Sequence, residues 1–227
     1  MAILKSKIGL LKGRIENMTF YVRNGQQVVR TANNFGHRDR KSQAQLDHRL
    51  KMKLTTAFLR PIKDFLRASY KSVESSRAYN QASSFHLKNA FVIEDGHPSF
   101  DYTKAMVCQG FLATPENAAM QFDPEEKTFT FTWTDNSGQA GANEDDQLVF
   151  LIYAPTHSYY FSSIEHKPTF SRNIFCETTA SRKDGSFCYK PTPFSQEEYY
   201  VYLAFRNVDD SDISNSVCVG KVEVKGN

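Results

Sequence analysis

One short stretch constrains the fold more than any other part of the chain. Residues 127–134 run Lys-Thr-Phe-Thr-Phe-Thr-Trp-Thr, so Phe129, Phe131 and Trp133 alternate with threonines. A period of two places the aromatic side chains on one face of a strand and the polar ones on the other. Such a strand belongs to an antiparallel sheet with one buried face. Turn-forming residues at 123–126 and 135–138 bound it on both sides.

Further strand-like runs follow along the C-terminal part of the chain. Apolar and β-branched runs cover residues 147–154, 199–205 and 213–224, and weaker runs cover 102–111, 158–162 and part of 170–190. Short strands separated by turns are typical of a two-sheet sandwich. We therefore predict an antiparallel immunoglobulin- or fibronectin-like β-sandwich over residues 96–227, with Trp133 in its core.

The first part of the chain carries a hairpin signal. Two β-rich runs, residues 18–23 and 26–31, flank Asn24-Gly25. Both central residues of a type I′ turn need positive φ, and Asn-Gly adopts that conformation at low cost. We predict a β-hairpin here, with a further strand or arm among residues 8–15.

A helical pattern follows the hairpin. Ser42 and Gln45 form a capping-box pattern. Apolar residues then recur at helical spacing; they are Leu46, Leu50, Leu54, Ala57 and Phe58. Pro61 interrupts the helix, and a further helix is predicted over about residues 77–90. The period changes from 3.6 to 2 at residues 94–98, so we predict an α+β protein with a basic hairpin and helical region at 1–95 and the sandwich at 96–227.

Charge is distributed unevenly between the two parts. Residues 1–90 contain 18 Lys and Arg against 5 Asp and Glu, whereas residues 91–227 contain 10 against 20. The net charge of +3 conceals this division. Such an asymmetry indicates two regions with different partners, or regions that pair with each other.

The favoured hypothesis is a structural protein that self-associates, with the basic region of one copy on the acidic sandwich of another. Complementary charge steers association, and a heterologous contact between opposite ends generates rings or filaments. A component of a phage or secretion-type assembly fits this hypothesis. The candidate basic residues are Arg23, Arg30, Arg38, Arg40 and Lys41. The candidate acidic residues are Glu144, Asp145, Asp146, Asp209, Asp210 and Asp212.

Two other classes of function compete with this hypothesis. The basic region could instead bind nucleic acid through phosphate contacts, although the sequence contains no helix-turn-helix, zinc-finger or RRM signature. Aromatic pairs at Tyr159-Tyr160 and Tyr199-Tyr200 could form a glycan- or protein-binding patch if they are exposed on one face.

The sequence provides no catalytic or metal-binding motif. It lacks a nucleophile elbow, a zinc-protease signature, a phosphate-binding loop and a Rossmann glycine set. We predict no enzyme activity, no cofactor, no metal and no small-molecule substrate. Cys108, Cys176, Cys188 and Cys218 are not at ligand spacing, and small buried thiols are the favoured interpretation; a Cys176–Cys188 disulfide is the alternative for an exported protein.

The amino terminus and the hydropathy profile bear on localisation. Lys5 and Lys7 interrupt the apolar stretch at residues 1–11, so we expect no signal peptide and synthesis in the cytoplasm. Release by lysis or by a secretion system stays open. No stretch approaches the ~20 apolar residues of a membrane span.

Three motifs in the chain are distinctive in combination. The first is Phe131-Thr132-Trp133-Thr134-Asp135-Asn136-Ser137-Gly138, and the second is Val201–Phe205 with Ser214-Asn215-Ser216-Val217 through Gly220. The third combines Gln43, Gln45 and Arg49 with Ala57-Phe58-Leu59-Arg60-Pro61. In this order, the three motifs resemble an uncharacterised domain-of-unknown-function family found in Bacteroidota. That family opens with a hairpin bearing Trp-Lys-Gly, where this chain has Tyr21–Gly25. The resemblance supports the architecture and implies no catalytic residues.

Overall fold

The chain divides into an N-terminal unit, Met1–Ser42, and a C-terminal unit, Gln43–Asn227. The computed structural model describes residues 2–4, 11–31, 41–155, 174–190 and 198–223. Helices and antiparallel sheets are both present, which confirms the α+β class. The predicted boundary between residues 95 and 96 is not where the chain divides, because the helices share a hydrophobic core with the strands that follow them.

The N-terminal unit is a four-stranded antiparallel sheet. Its strands are β1 (Ala2–Leu4), β2 (Gly13–Ile15), β3 (Met18–Arg23) and β4 (Gln26–Thr31), in the order β1-β4-β3-β2. The predicted hairpin is confirmed, since β3 pairs with β4 and Arg23 lies opposite Gln26. Asn24 and Gly25 both have positive φ, 50° and 75°, as a type I′ turn requires.

Three helices open the C-terminal unit: α1 (Gln43–Leu59), α2 (Lys63–Ser69) and α3 (Ser75–Asn89). Pro61 separates α1 from α2, as predicted. The predicted apolar face of α1 is buried only in its last turns. Phe58 is 1% exposed, whereas Leu46 is 44% exposed, because α3 and the strand β6 (His97–Phe100) pack against the C-terminal half of the helix.

Two sheets form the rest of the C-terminal unit. The three-stranded sheet has the order β11-β8-β7, with β7 at Glu116–Asp123, β8 at Thr128–Thr134 and β11 at Ser186–Tyr189. The four-stranded sheet has the order β10-β9-β12-β13, with β9 at Gln147–Tyr153, β10 at Ile174–Ser181, β12 at Glu198–Arg206 and β13 at Val217–Glu223. The predicted strands at 127–134, 147–154 and 199–205 are thereby confirmed.

The four-stranded sheet is buried on both faces. One face packs against β8, so that Phe131 meets Phe150 at a ring distance of 5.0 Å and Trp133 meets Phe205 at 5.6 Å. The other face packs against the helices, where Phe58 lies 4.7 Å from the ring of Tyr153. The larger sheet is therefore the middle of three layers.

The predicted strand at residues 102–111 is replaced by other structure. A hairpin of β5 (Phe91–Glu94) and β6 (His97–Phe100) follows α3, and a 3-10 turn covers Tyr102–Lys104. Residues 105–112 then run extended between the end of α2 and the residues that precede β13. We call them the 105–112 segment. The predicted strand at 158–162 lies outside the described residues.

Candidate interaction surfaces

Strand register brings the two predicted acidic loops to one end of the four-stranded sheet. Gln147, the first residue of β9, lies opposite Arg206, the last residue of β12. Residues 144–146 immediately precede β9, and residues 207–212 immediately follow β12. These two loops form what we call the acidic end of the C-terminal unit.

Two exposed carboxylates at the acidic end form ion pairs within the chain. Asp145 lies 2.6 Å from the Lys183 ammonium, and this hydrogen bond raises the pKa of Lys183. Asp210 lies 3.1 Å from Lys71 and 3.5 Å from Arg206. The Asp145–Lys183 pair is exposed on both sides, and such a pair contributes about 0–1 kcal/mol. The carboxylate of Asp145 can therefore exchange its cation for that of a partner at little cost, whereas Asp210 pairs with two cations that are largely buried.

Asp146 is not at the surface, contrary to the prediction. It is 1% exposed and lies 3.2 Å from the guanidinium of Arg182, which is itself fully buried. Arg182 also donates to the side chain of Asn136 and lies over the ring of Phe205. Burial lowers the pKa of Arg182, while the charge of Asp146 opposes that shift. Asp146 therefore pairs with Arg182 in the interior of the protein and is not available to bind a partner.

The same network explains the Trp-x-Asp-Asn motif. Trp133 donates its indole N–H to the backbone oxygen of Arg182 at 2.7 Å, and Asn136 donates to the backbone oxygen of Thr114 at 3.0 Å. A buried arginine needs several acceptors to offset its lost hydration. The motif residues Trp133 and Asn136 thus hold the Arg182 region in place, which is a structural role.

The Ser214-Asn215-Ser216 motif fastens the 105–112 segment. The Ser216 hydroxyl accepts from the backbone N–H groups of Val107 and Cys108, at 2.8 Å and 3.2 Å. The side-chain oxygen of Asn215 accepts from Gly110 at 3.3 Å. These bonds satisfy backbone groups that no sheet ladder reaches, and buried backbone groups are costly when unpaired. This motif is therefore structural as well.

Asp212 has a similar local role at the acidic end. Its Oδ1 atom accepts from the backbone N–H groups of Phe111 and Ile213, at 3.2 Å and 2.8 Å. Asp209 accepts from Ser211, which lowers the pKa of Asp209. Glu144 and Asp145 are the acidic residues whose replacement disturbs the fewest such bonds.

The basic residues of the N-terminal unit lie on one face of its sheet. Thr19 pairs with Arg14 across β2 and with Arg30 across β4, and directly opposite residues share a face. Arg23 lies on the same face, since it is an even number of positions from Thr19. All three arginines are exposed. Lys41 is half-buried, and Arg38 and Arg40 lie outside the described residues.

The remaining candidate groups are dispersed. Among the described residues, His, Cys, Asp and Glu do not form a set of three that could hold a metal ion. Cys108, Cys188 and Cys218 carry free thiols. Tyr199 is buried and Tyr200 stacks on Tyr102 at 4.7 Å, so they do not form an exposed pair; Tyr159 and Tyr160 lie outside the described part.

These observations define an α+β protein with a small basic sheet unit and a larger layered unit that has an acidic end. The chain belongs to a family of unknown function, DUF6266, whose family model matches residues 5–220. This confirms the expected membership of an uncharacterised family. A comparison with curated proteins found no significant match. Of the helices that the structure describes, none combines the length and hydrophobicity that a bilayer crossing needs.

Proposed function

We propose that this chain is a non-enzymatic structural protein that self-associates, with the basic sheet face of one copy on the acidic end of the next. The immunoglobulin- or fibronectin-like type of its sandwich is part of the proposal. The contact is heterologous, so repeated copies form a ring or an open filament.

One observation carries the proposal: the two acidic loops, residues 144–146 and 207–212, are far apart in the chain but meet at one end of a single sheet. The opposing cations stand on a separate compact unit, where Arg14 and Arg30 flank Thr19. Complementary potentials on two separate surfaces steer association and fix its register.

Ionic strength tests the electrostatic basis of the contact. The Debye length is ~10 Å at 0.1 M salt and ~3 Å at 1 M, so attraction between exposed charges fades as salt is added. Sedimentation equilibrium should show oligomers at about 50 mM salt and a shift toward monomer at about 1 M. A monomer at both concentrations contradicts the proposal.

Charge reversal identifies the surfaces. Replacing Arg14 and Arg30 with glutamate should abolish oligomers, and mixing that variant with one carrying Glu144→Lys and Asp145→Lys should restore mixed oligomers. The matched control is Lys53→Glu with Lys88→Glu, two exposed helix residues, which should leave the wild-type behaviour unchanged. Loss of association in the control, or no rescue on mixing, contradicts the proposed surfaces.

Nucleic-acid binding is the second candidate, favoured by the row Arg14–Thr19–Arg30 with Tyr21 and Arg23 on the same face. Arginines contact phosphates and aromatic rings stack on bases. A gel shift with mixed DNA and RNA separates the two functions. Nucleic-acid binding requires Arg14 and Arg30 but is indifferent to Glu144→Lys with Asp145→Lys, whereas self-association needs both surfaces.

A further inference from the structure

Two large apolar side chains project from the acidic end. Phe111 is 72% exposed and Val208 is 66% exposed. Both residues are linked to Asp212. Phe111 donates its backbone N–H to the Asp212 carboxylate, and Asp212 donates its backbone N–H at 2.8 Å to the side chain of Asn207, the residue before Val208. An exposed aromatic and an exposed aliphatic side chain are thus both tied through the backbone to Asp212, within the acidic loops, which is the composition of an interface anchor with a charged rim.

The backbone beneath Phe111 is held rigidly. Three consecutive residues donate to the 212–215 stretch: Gly110 to Asn215 at 3.3 Å, Phe111 to Asp212 at 3.2 Å and Leu112 to the backbone oxygen of Ile213 at 3.3 Å. A side chain on a fixed backbone loses less conformational freedom on binding than one on a mobile loop. The backbone of Phe111 is therefore preorganised for binding.

The N-terminal unit presents a matching edge. Leu11, Ile15 and Met18 are 51%, 61% and 47% exposed, and Ile15 lies opposite Met18 in the register of β2 and β3. Within β2, Arg14 lies on the other face from Ile15, and Lys12, immediately before the strand, is exposed as well. The β2 edge thus offers an apolar side and a basic side next to each other.

We infer that the β2 edge of one copy docks on the acidic end of another, with Phe111 and Val208 against Ile15 and Met18. The carboxylates of the acidic end then face Lys12 and Arg14. This inference rests on the proposed self-association and names its apolar anchor. The partner is a second copy because both halves of the match, apolar with apolar and cation with carboxylate, are present on this chain.

Truncating the anchor tests its energetic role. Phe111→Ser and Val208→Ser should each weaken self-association about tenfold or more, as truncation of a hot-spot residue does. Ile93, 67% exposed on β5, provides the matched control, and Ile93→Ser should leave the dissociation constant unchanged. Equal effects at Ile93 and Phe111 overturn the inference, because they show only general surface hydrophobicity.

Photo-crosslinking tests the geometry. Phe111 is replaced by p-benzoylphenylalanine, whose excited ketone inserts into nearby C–H bonds and favours methionine. Light and heavy-isotope proteins are mixed, irradiated and digested with trypsin, which releases Met18 in the peptide of residues 15–23. The expected product joins that peptide in one isotope to the residue-111 peptide in the other.

The outcomes separate the inference from the proposal on which it rests. Mixed-isotope crosslinks to a different peptide, with oligomers still present in sedimentation, overturn the docking geometry and leave self-association standing. Same-isotope crosslinks to residues 15–23 alone show a contact within one copy and overturn the inference. A monomer at every salt concentration overturns both.

Discussion

Gly110 lies where the 105–112 segment passes closest to its neighbour. A Cβ atom at this position would stand 2.0 Å from the backbone oxygen of Ile213 and 2.5 Å from the Asp212 carboxylate. The obstacle is mainly backbone, which cannot rotate away as a flexible side chain does. The requirement for glycine here is therefore close approach rather than an unusual φ.

Gly110→Ala should destabilise the protein by about 3 kcal/mol, since overpacking against a fixed backbone is costly. Urea denaturation at neutral pH measures the change. Gly138→Ala is the control, because Gly138 has open space around it and only a positive φ of 84°; it should cost about 1 kcal/mol. Equal costs at the two positions would show that the neighbouring backbone gives way.

Residue-level chemistry was the part hardest to predict from sequence. Glu144-Asp145-Asp146 reads as one solvated acidic run, yet Asp146 is buried and its two neighbours are exposed. What distinguishes it is Arg182, which lies 36 positions away in the chain. Gly110 likewise carries no local signal, since the atom that excludes a side chain belongs to residue 213.

At the scale of elements, His86 links α3 to the 105–112 segment. Its Nδ1 lies 2.7 Å from the backbone oxygen of Ala82, and its Nε2 accepts from the backbone N–H of Met106 at 3.2 Å. Because Met106 is the donor, Nε2 carries no proton and the ring donates through Nδ1. Burial lowers the pKa of His86 to about 4, partly opposed by the bond to Ala82.

This shift predicts a loss of stability in mild acid. In the unfolded chain His86 is protonated below about pH 6.5, whereas in the folded protein it stays neutral down to about pH 4. Unfolding is therefore favoured as the pH falls through that window. The full loss is about 3 kcal/mol, since each pKa unit is worth about 1.4 kcal/mol. Urea denaturation at several pH values between 7 and 4 measures it.

The matched variants for this prediction are His86→Gln and His97→Gln. The first should flatten the pH dependence between 6.5 and 4 even though it lowers stability at neutral pH. The second, at an exposed position on β6, should keep the wild-type slope. An unchanged slope in His86→Gln would assign the pH dependence to other groups.

Elements with a strong local signal were predicted well. Asn24-Gly25 fixed the hairpin through its turn chemistry, and the alternation around Trp133 fixed β8. The strand β7 was missed because Ala118 and Met120 give only a weak apolar alternation. Apolar residues predict a strand over 102–111, but the backbone bonds of the 105–112 segment go to Ser216, Asn215 and the end of α2, partners that no periodicity reveals.

At the scale of the molecule, both hydrophobic cores of the C-terminal unit consist of described residues from Leu54 onward. The N-terminal unit is a separate compact body. Stability of the larger unit therefore depends on its own layers, while the smaller unit supplies the cations of the proposed contact.

Removing residues 1–42 should leave the larger unit folded, with a Tm within a few degrees of the full chain because neither core loses a described side chain. The same truncation should abolish oligomers at low salt. Thermal unfolding by circular dichroism and sedimentation equilibrium measure the two effects. Unfolding of the truncated chain would show that the units stabilise each other, and persistent oligomers would place the contact within the larger unit.

The charge division of the whole molecule was visible in the sequence, but its placement was not. Two acidic runs in distant loops predict a common surface only once the pairing of Gln147 with Arg206 is known. For the family motifs the position was visible in the sequence, but the role was not. Trp133, Asn136 and Ser216 stand out in the sequence, and their hydrogen bonds stabilise the interior of the protein.

The middle position of β9 makes its length unusually constrained. The core beneath β8 contains Leu148, Phe150 and Ile152, and the core beneath the helices contains Leu151 and Tyr153. Inserting one residue before Phe150 would turn each later side chain to the opposite layer, so two aromatic environments would be mismatched at once. Relatives of this protein should therefore vary in length in their loops and keep this strand at a fixed number of residues.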